Sequence, residues 1–587
     1  MRTLTLSFLS VGLLATLSSA QGLLRDYNGS TGARLGAAFA DGRDFNGDGI
    51  PEVIVGAPGG SGAGQVFAFN GQSIATGASP NYLSLITQGA NGDDFGVCLA
   101  ALQTSPNHTF AAGAPGADYN GGTANGFVRI LFQSGNFLTP GNFVVGNSGD
   151  RLGTAVAKAD DSNGDGQVDI LAGAPYYDTA VANTGTVFLF NAGHINGAPG
   201  SLLIGQFSGI QADEHFGAAL AVGHVNSGSR RDFVIASPDA DFTLGGPPNV
   251  DVGWVRAYDG NTGAQIWWQV GSAAGDHFGA AVDAGKDVNG DGYGDIIVGA
   301  PGADGTTFGN IGRATVYSGR AISTGFGSLE LYSWTGSLPG ESFGACVRLV
   351  DDMSGDNVAD IVVGAPGYEP LFSGANRGAV SIFSGATGLL LARYVGDVNE
   401  NLGDAIGPTI ADYNGDGELD LFVGGSSSDE IAANGGVFKV LSLYPAAPVA
   451  YCTAKVNSLG CSATMAGAGF PSVSSNAAFT ISATNAINQT AGILFYGYSP
   501  SAAPFQGGTL CAHAPLIRTP IQNAGGSPSP AHNCTGVFSF DFNAWIDSGR
   551  DPSLVAGREV FAQYWYRDSA SASTTALSNG LRFVVQP

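Results

Sequence analysis

The residues best equipped for chemistry in this chain are oxygen donors spaced two apart in short acidic loops. One loop places Asp287, Asn289, Asp291, Tyr293 and Asp295 at positions 1, 3, 5, 7 and 9. A hard cation such as Ca²⁺ takes six to eight oxygens, from carboxylates, side-chain amides and a backbone carbonyl. In a tight turn, positions 1, 3 and 5 converge on one point. The carbonyl of position 7 then faces inward and a carboxylate at position 9 closes the shell, while glycine at position 6 permits the backbone reversal. Three further loops carry the full set: Asp44, Asn46, Asp48, Ile50 and Glu52; Asp161, Asn163, Asp165, Gln167 and Asp169; Asp412, Asn414, Asp416, Glu418 and Asp420. Ile50, Gln167, Tyr293 and Glu418 would each contribute a backbone carbonyl. A fifth loop, Asp352, Ser354, Asp356, Val358 and Asp360, has Asn357 in place of the glycine and is expected to bind more weakly. The expectation is thus Ca²⁺ at four full sites and one weaker one. The competing reading is a set of metal-free Asx turns. An EF-hand is a poor fit, because these loops run into strands and lack the bidentate Glu at position 12.

The loops sit inside a larger period. Seven apolar-Gly pairs recur at intervals of roughly sixty residues: Leu35-Gly36, Phe95-Gly96, Leu152-Gly153, Phe216-Gly217, Phe278-Gly279, Phe343-Gly344 and Leu402-Gly403. Each precedes a short apolar strand, a polar loop and a second strand. That second strand ends in Gly-Ala-Pro, as at Gly299-Ala300-Pro301, or in a variant such as Ala236-Ser237-Pro238 or Gly424-Gly425-Ser426. A third strand (Gly312–Tyr317 in the fifth unit), a turn and a looser fourth strand complete the unit. Four strands joined by short loops form a small antiparallel sheet that cannot bury both faces alone, so the sheets must stack. Repeats two (Gln103–Phe110) and four (His224–Asp232) lack the ligand set and are expected to be metal-free, with Arg230 and Arg231 placing positive charge where an ion would sit.

This combination of Phe-Gly, cation loop and Gly-Ala-Pro resembles the FG-GAP repeats of the integrin alpha-subunit head, over roughly residues 23–443. The resemblance implies an all-β chain with a seven-bladed β-propeller at residues 21–445, and a stack of Ca²⁺-binding hairpins is the alternative. The seventh repeat runs out of strands after Leu441, so the segment from Leu23 to Tyr27 is expected to supply its outer strand and close the ring.

Residues 446–587 read as a small disulfide-containing β-sandwich-like domain. Its four cysteines, Cys452, Cys461, Cys511 and Cys534, allow three pairings, and the sequence-local one (452 with 461, 511 with 534) is the expectation. Trp545, Trp565 and Tyr566 could form a sugar platform, although core packing is the simpler reading. Cys98 and Cys346 occupy a repeat position otherwise filled by alanine and are expected to be buried and unpaired.

Arg2, an apolar run from Leu4 to Leu17 and the small residues Ser18-Ser19-Ala20 read as a signal peptide over residues 1–20. The mature chain would then be secreted or held at the cell surface, with no membrane span. A net charge of −25 argues against nucleic acid and anionic lipid as partners, and five Ca²⁺ ions at +2 each would reduce it to −15. The sequence holds no His-Glu-x-x-His, no Gly-x-Ser-x-Gly and no phosphate loop. The functional expectation is therefore a non-enzymatic Ca²⁺-binding adhesion protein with a protein or glycan ligand on an extracellular surface. An extracellular hydrolase or lyase acting on polysaccharide or phospholipid is the alternative. Trp267-Trp268 on an outer strand should point to opposite faces, so that packing hides only one of them.

Overall fold

The computed structural model describes residues 23–585 apart from 45, 77–81, 104–107, 196–201, 243–249, 306–308, 370–375, 410, 414–418, 430–431, 443–447, 469–470, 472–477 and 555–557. The proposed signal peptide lies outside the described residues.

Seven four-stranded antiparallel sheets follow the seven repeats, so the chain is all-β and built as a seven-bladed propeller. The fifth blade runs Ala281–Ala284, Ile296–Ala300, Arg313–Tyr317 and Glu330–Thr335, in chain order from its inner to its outer edge. The seven first strands pack side by side, each against the next, and the strand of blade seven (Ala405–Thr409) packs against that of blade one (Ala38–Arg43). The ring is therefore closed. As expected, Leu23–Asn28 supplies the outer strand of blade seven, pairing antiparallel with Val437–Leu441 from Leu23↔Leu441 to Asn28↔Val437.

The repeated motif has a steric origin. Gly279 takes φ +94°, a conformation that disfavours side chains, and donates its N–H to the carbonyl of Gly299 at 2.8 Å. Gly299, the glycine of Gly-Ala-Pro, faces the next blade: a Cβ there would lie 1.9 Å from the carbonyl oxygen of Gly344. The apolar partner plugs the junction between blades, and Phe95, Phe216 and Phe343 are at most 1% exposed. Phe-Gly and Gly-Ala-Pro are thus the two halves of one inter-blade contact.

After the propeller strands, Val449–Tyr451, Thr575–Val584, Glu559–Arg567, Ala491–Gly497 and Ile517–Arg518 form one sheet in that order. Thr464–Ala468, Thr480–Ala486 and Gly536–Asp541 form a second. Phe479, Phe538, Tyr496, Tyr564 and Phe583, drawn from both sheets, share one core, as a sandwich requires. The expected cysteine pairing is corrected here. The disulfides join Cys452 to Cys511 and Cys461 to Cys534, spanning 59 and 73 residues. Strand order explains the difference, because it brings together segments that are distant in the chain. Trp545 and Tyr566 belong to the core, whereas Trp565 is half-buried on the outer side of its strand. Cys98 and Cys346 are free thiols; they are half-buried rather than fully enclosed, and burial pushes both up to about 12. No helix among the described residues is long and apolar enough to cross a membrane.

Candidate metal centres

The acidic loops join first to second strands, so all lie at the same end of the blades. In blade five Asp287 accepts backbone N–H bonds from Gly290 (2.7 Å), Asp291 (3.2 Å) and Gly292 (2.7 Å), which coils the loop around its carboxylate. Asn289 accepts from the N–H of Asp291 (3.0 Å) and Asp291 from that of Tyr293 (3.1 Å). Gly290 and Gly292 take φ +74° and +88°. Blade one repeats this around Asp44, with N–H bonds from Gly47 (2.7 Å) and Gly49 (2.8 Å), and blade three around Asp161. In blade six Asp352 receives the N–H of Gly355 and of Asn357 at 2.7 Å each, and Asn357 takes φ +70° in the glycine's place.

The position-9 carboxylate stands at the start of the second strand, or one residue before it in blade five, and is fully buried: Glu52, Asp169, Asp295 and Asp360 are all 0% exposed. Asp295 accepts from the N–H of Val288 and of Gly319, both at 3.0 Å, which ties the loop to the turn after the third strand. Asp360 does the same with Met353 (2.8 Å) and Gly385 (3.1 Å). Burial, reinforced by the other acids of each loop, pushes Asp295 and Asp360 up to about 7 and Asp169 to about 6.

Two observations test whether these residues suit a cation. Asp44, Asp48 and Glu52 offer three carboxylate oxygens within 4.8 Å of one another, the one such cluster among the described residues. Asp169 Oδ1 is buried with no hydrogen-bond partner among the described residues. Concentrated carboxylates and an orphaned buried oxygen are what a hard divalent ion neutralises and ligates, so the donor set fits. In blade seven, Asp420 accepts from the N–H of Tyr413 at 2.7 Å, as in its sister loops. Asn414, Asp416 and Glu418 lie outside the described residues, as does most of the blade-two loop.

Blade four differs from the sequence expectation. Asp232 keeps its place and binds the N–H groups of Val225 (3.0 Å), Asn226 (2.8 Å) and Gly260 (3.0 Å). Arg230 and Arg231 do not fill their own slot. Arg230 donates to the carbonyl of Ser162 in the neighbouring blade-three loop, and Arg231 pairs with Asp160 at 2.7 Å. The long side chains reach across the blade boundary because their own loop holds no carboxylate ahead of Asp232.

Two further arrangements escaped the sequence reading. An acid stands two residues before six of the seven apolar-Gly pairs: Asp93, Asp150, Glu214, Asp276, Glu341 and Glu400, all buried. Asp93, Asp276 and Glu341 cap the preceding turn by accepting N–H bonds from Ala90 (2.7 Å), Ala273 (2.9 Å) and Leu338 (2.9 Å). Glu214 and Glu400 also take buried cations, Arg256 and Lys439. Burial alone would lower Lys439, but Glu400 and Asp397 hold it raised. Aligning the repeats on the apolar-Gly pair exposes this acidic column. The second arrangement lies at the opposite end of the blades from the acidic loops. His215 and His277 point Nδ1 at the two oxygens of Asp239, at 2.7 and 3.2 Å, and hydrogen bonding from His215 leads in holding Asp239 below its usual range. Tyr176 packs on His215 (4.4 Å between centroids), with Arg151 over the tyrosine ring at 4.5 Å. His215 and His277 each stand directly before a Phe-Gly pair, and the packing of adjacent blades four and five brings both to Asp239. On the outer strand of blade four, Trp267 is 8% exposed and Trp268 47%, as strand alternation required.

A ring of seven four-stranded blades with acidic loops gathered at one end defines a repeat-built β-propeller. The FG-GAP repeat family matches residues 36–69, 152–190 and 278–317, which fall in blades one, three and five. The chain is 30% identical over 230 residues to integrin alpha-5 of Xenopus laevis, covering 37% of this chain and 20% of the relative. It is 34% identical over 162 residues to integrin alpha-IIb of Homo sapiens (24% and 14%), and 32% over 237 residues to integrin alpha pat-2 of Caenorhabditis elegans (37% and 18%). The matches thus span about a fifth or less of those relatives. The chain thus carries FG-GAP repeats and is similar to integrin alpha subunits in its repeat region.

Proposed function

We propose that this chain is a secreted or cell-surface binding protein that works in adhesion, with Ca²⁺ holding its propeller loops in shape. On this reading residues 1–20 are a signal peptide, 21–445 the propeller and 446–587 an attached β-domain. The observation that carries it is the closed FG-GAP ring, similar in sequence to integrin alpha subunits, whose acidic loops all lie at one end. Asp44, Asn46, Asp48 and Glu52, and their counterparts in blades three, five, six and seven, would hold the ions, with Ile50, Gln167, Tyr293, Val358 and Glu418 contributing carbonyls. Bound Ca²⁺ would supply charge neutralisation and cross-linking rather than reaction chemistry. The loops at the other end, around Asp239, His215 and His277, would then be free to contact an extracellular protein or glycan. Solid-phase binding to extracellular-matrix proteins and a glycan array tests this. Binding that needs Ca²⁺ and falls in Asp239→Ala supports the proposal. Turnover of a polysaccharide panel without stable binding would overturn it in favour of an enzyme.

A further inference from the structure

The C-terminal β-domain has a different electrostatic character from the propeller. Residues 449–587 hold six Lys and Arg and five Asp and Glu, a net charge of +1, so all of the negative net charge lies before them. An acidic ligand repelled by the propeller would meet little opposition here.

On the larger sheet, strand register sorts side chains by face. Ile493 lies opposite Trp565 and Arg518 opposite Phe495; antiparallel partners share a face, as do residues two apart on one strand. Ile493, Phe495, Trp565, Arg567 and Arg518 therefore project from the same side. The hairpin Pro500–Phe505 and Gly508–Ala512 covers part of this side through Phe505 and Leu510, packed with Phe495, Phe561 and Leu577. What it leaves is a groove of about 250 Å³ whose lining includes Trp565, Ile493, Ile521, Arg518 and Arg567. The indole of Trp565 is fixed at its edge by a 3.1 Å bond from Nε1 to Gln506 Oε1 in the hairpin's turn. Ile521 is 76% exposed beside it. Neither arginine has a carboxylate partner among the described residues, and no Asp or Glu lines the groove.

We propose that this groove binds an acidic sugar, a uronate unit of an oligosaccharide, with its ring against Trp565 and its carboxylate between Arg518 and Arg567. An aromatic wall suits the apolar face of a pyranose, and the planar guanidinium fork matches a carboxylate in a bidentate pair. The groove is too small for more than a ring and its substituents, which favours a sugar unit over a peptide segment.

The test titrates the full chain, in buffer with Ca²⁺, with oligogalacturonate, maltohexaose, a heparin-derived oligosaccharide and polyglutamate by isothermal calorimetry. The expected result is saturable oligogalacturonate binding at least about tenfold tighter than maltohexaose. Arg518→Ala and Arg567→Ala should each weaken it by roughly tenfold or more while the melting curve is unchanged, because both side chains are exposed. Asp291→Asn, which alters only the propeller, should leave it intact, so this inference and the proposed Ca²⁺ reading fail independently. Equal binding of neutral and acidic sugars, preference for heparin or polyglutamate, or full binding by the double arginine variant would each overturn the proposal.

Discussion

Asp291 separates cation binding from loop folding better than its neighbours do. Asp287 holds four backbone N–H groups and Asp295 two, so replacing either would unravel the turn as well as remove a ligand. Asp291 accepts one backbone bond, through Oδ1, which an asparagine can also accept. Asp291→Asn should therefore melt like the parent chain in chelator. In saturating Ca²⁺ it should lose the contribution of that site, about 1.4 kcal/mol at ten times Kd, and bind one ion fewer by calorimetry. Equal melts in both buffers would remove cation binding from blade five. The buried position-9 acids predict a pH effect as well. Asp295 and Asp360 are raised to about 7 in the fold, so between the ordinary carboxylate range and pH 7 the unfolded chain holds fewer protons. Stability of the chelated protein should thus fall as pH climbs from 5 to 7 and level off above. Thermal melts across that range check it, and added Ca²⁺ should flatten the slope. At this scale the sequence was most legible where ligands sit within nine residues of one another. It was opaque where partners come from neighbouring repeats, as with Arg230 on Ser162 or His277 on Asp239, because those distances depend on how adjacent blades pack.

At the scale of the element, the repeat punctuation proved to be a statement about backbone clearance. A Cβ on Gly364 would lie 1.9 Å from the carbonyl oxygen of Gly403 in the next blade, and neither group is the end of a flexible side chain. Gly364→Ala should cost about 1–3 kcal/mol by forcing the blades apart. Gly205, in the outer strand Leu203–Ser208, has nothing within 4 Å of a Cβ and no positive φ, so Gly205→Ala should change stability by less than about 0.5 kcal/mol. Chemical denaturation of the two variants makes the comparison, and equal effects would refute the clearance argument. The strands of each blade were legible because their apolar alternation and turn residues are local. The disulfides were not: Cys452 meets Cys511 only because Val449–Tyr451 sits beside Thr575–Val584, and nothing near either cysteine encodes that strand order.

At the scale of the molecule, one non-covalent seam carries the closure of the ring. The strand Leu23–Asn28 pairs along Val437–Leu441, and Tyr27 stacks on Phe438 with centroids 4.5 Å apart and packs on Phe69 of blade one at 5.6 Å. Arg25 donates to the carbonyl of Ala75 in blade one at 3.1 Å, so the segment contacts both blades that meet at the seam. Removing it would expose the backbone edge of Val437–Leu441 along with the apolar faces of Phe438 and Phe69, an invitation to pairing with another chain. Consecutive blades one to six would keep their neighbours, since each is a continuous four-stranded meander. A chain lacking residues 23–28 should therefore retain its strand content by circular dichroism while melting at a lower temperature and forming oligomers in sedimentation. Tyr27→Ala, which keeps the backbone pairing but loses the stack, should fall between the two, costing about 3–5 kcal/mol as large aromatic truncations do. A truncated chain that stays monomeric with an unchanged melt would mean that the ring is held by its first-strand contacts alone, and that the N-terminal strand is dispensable to closure.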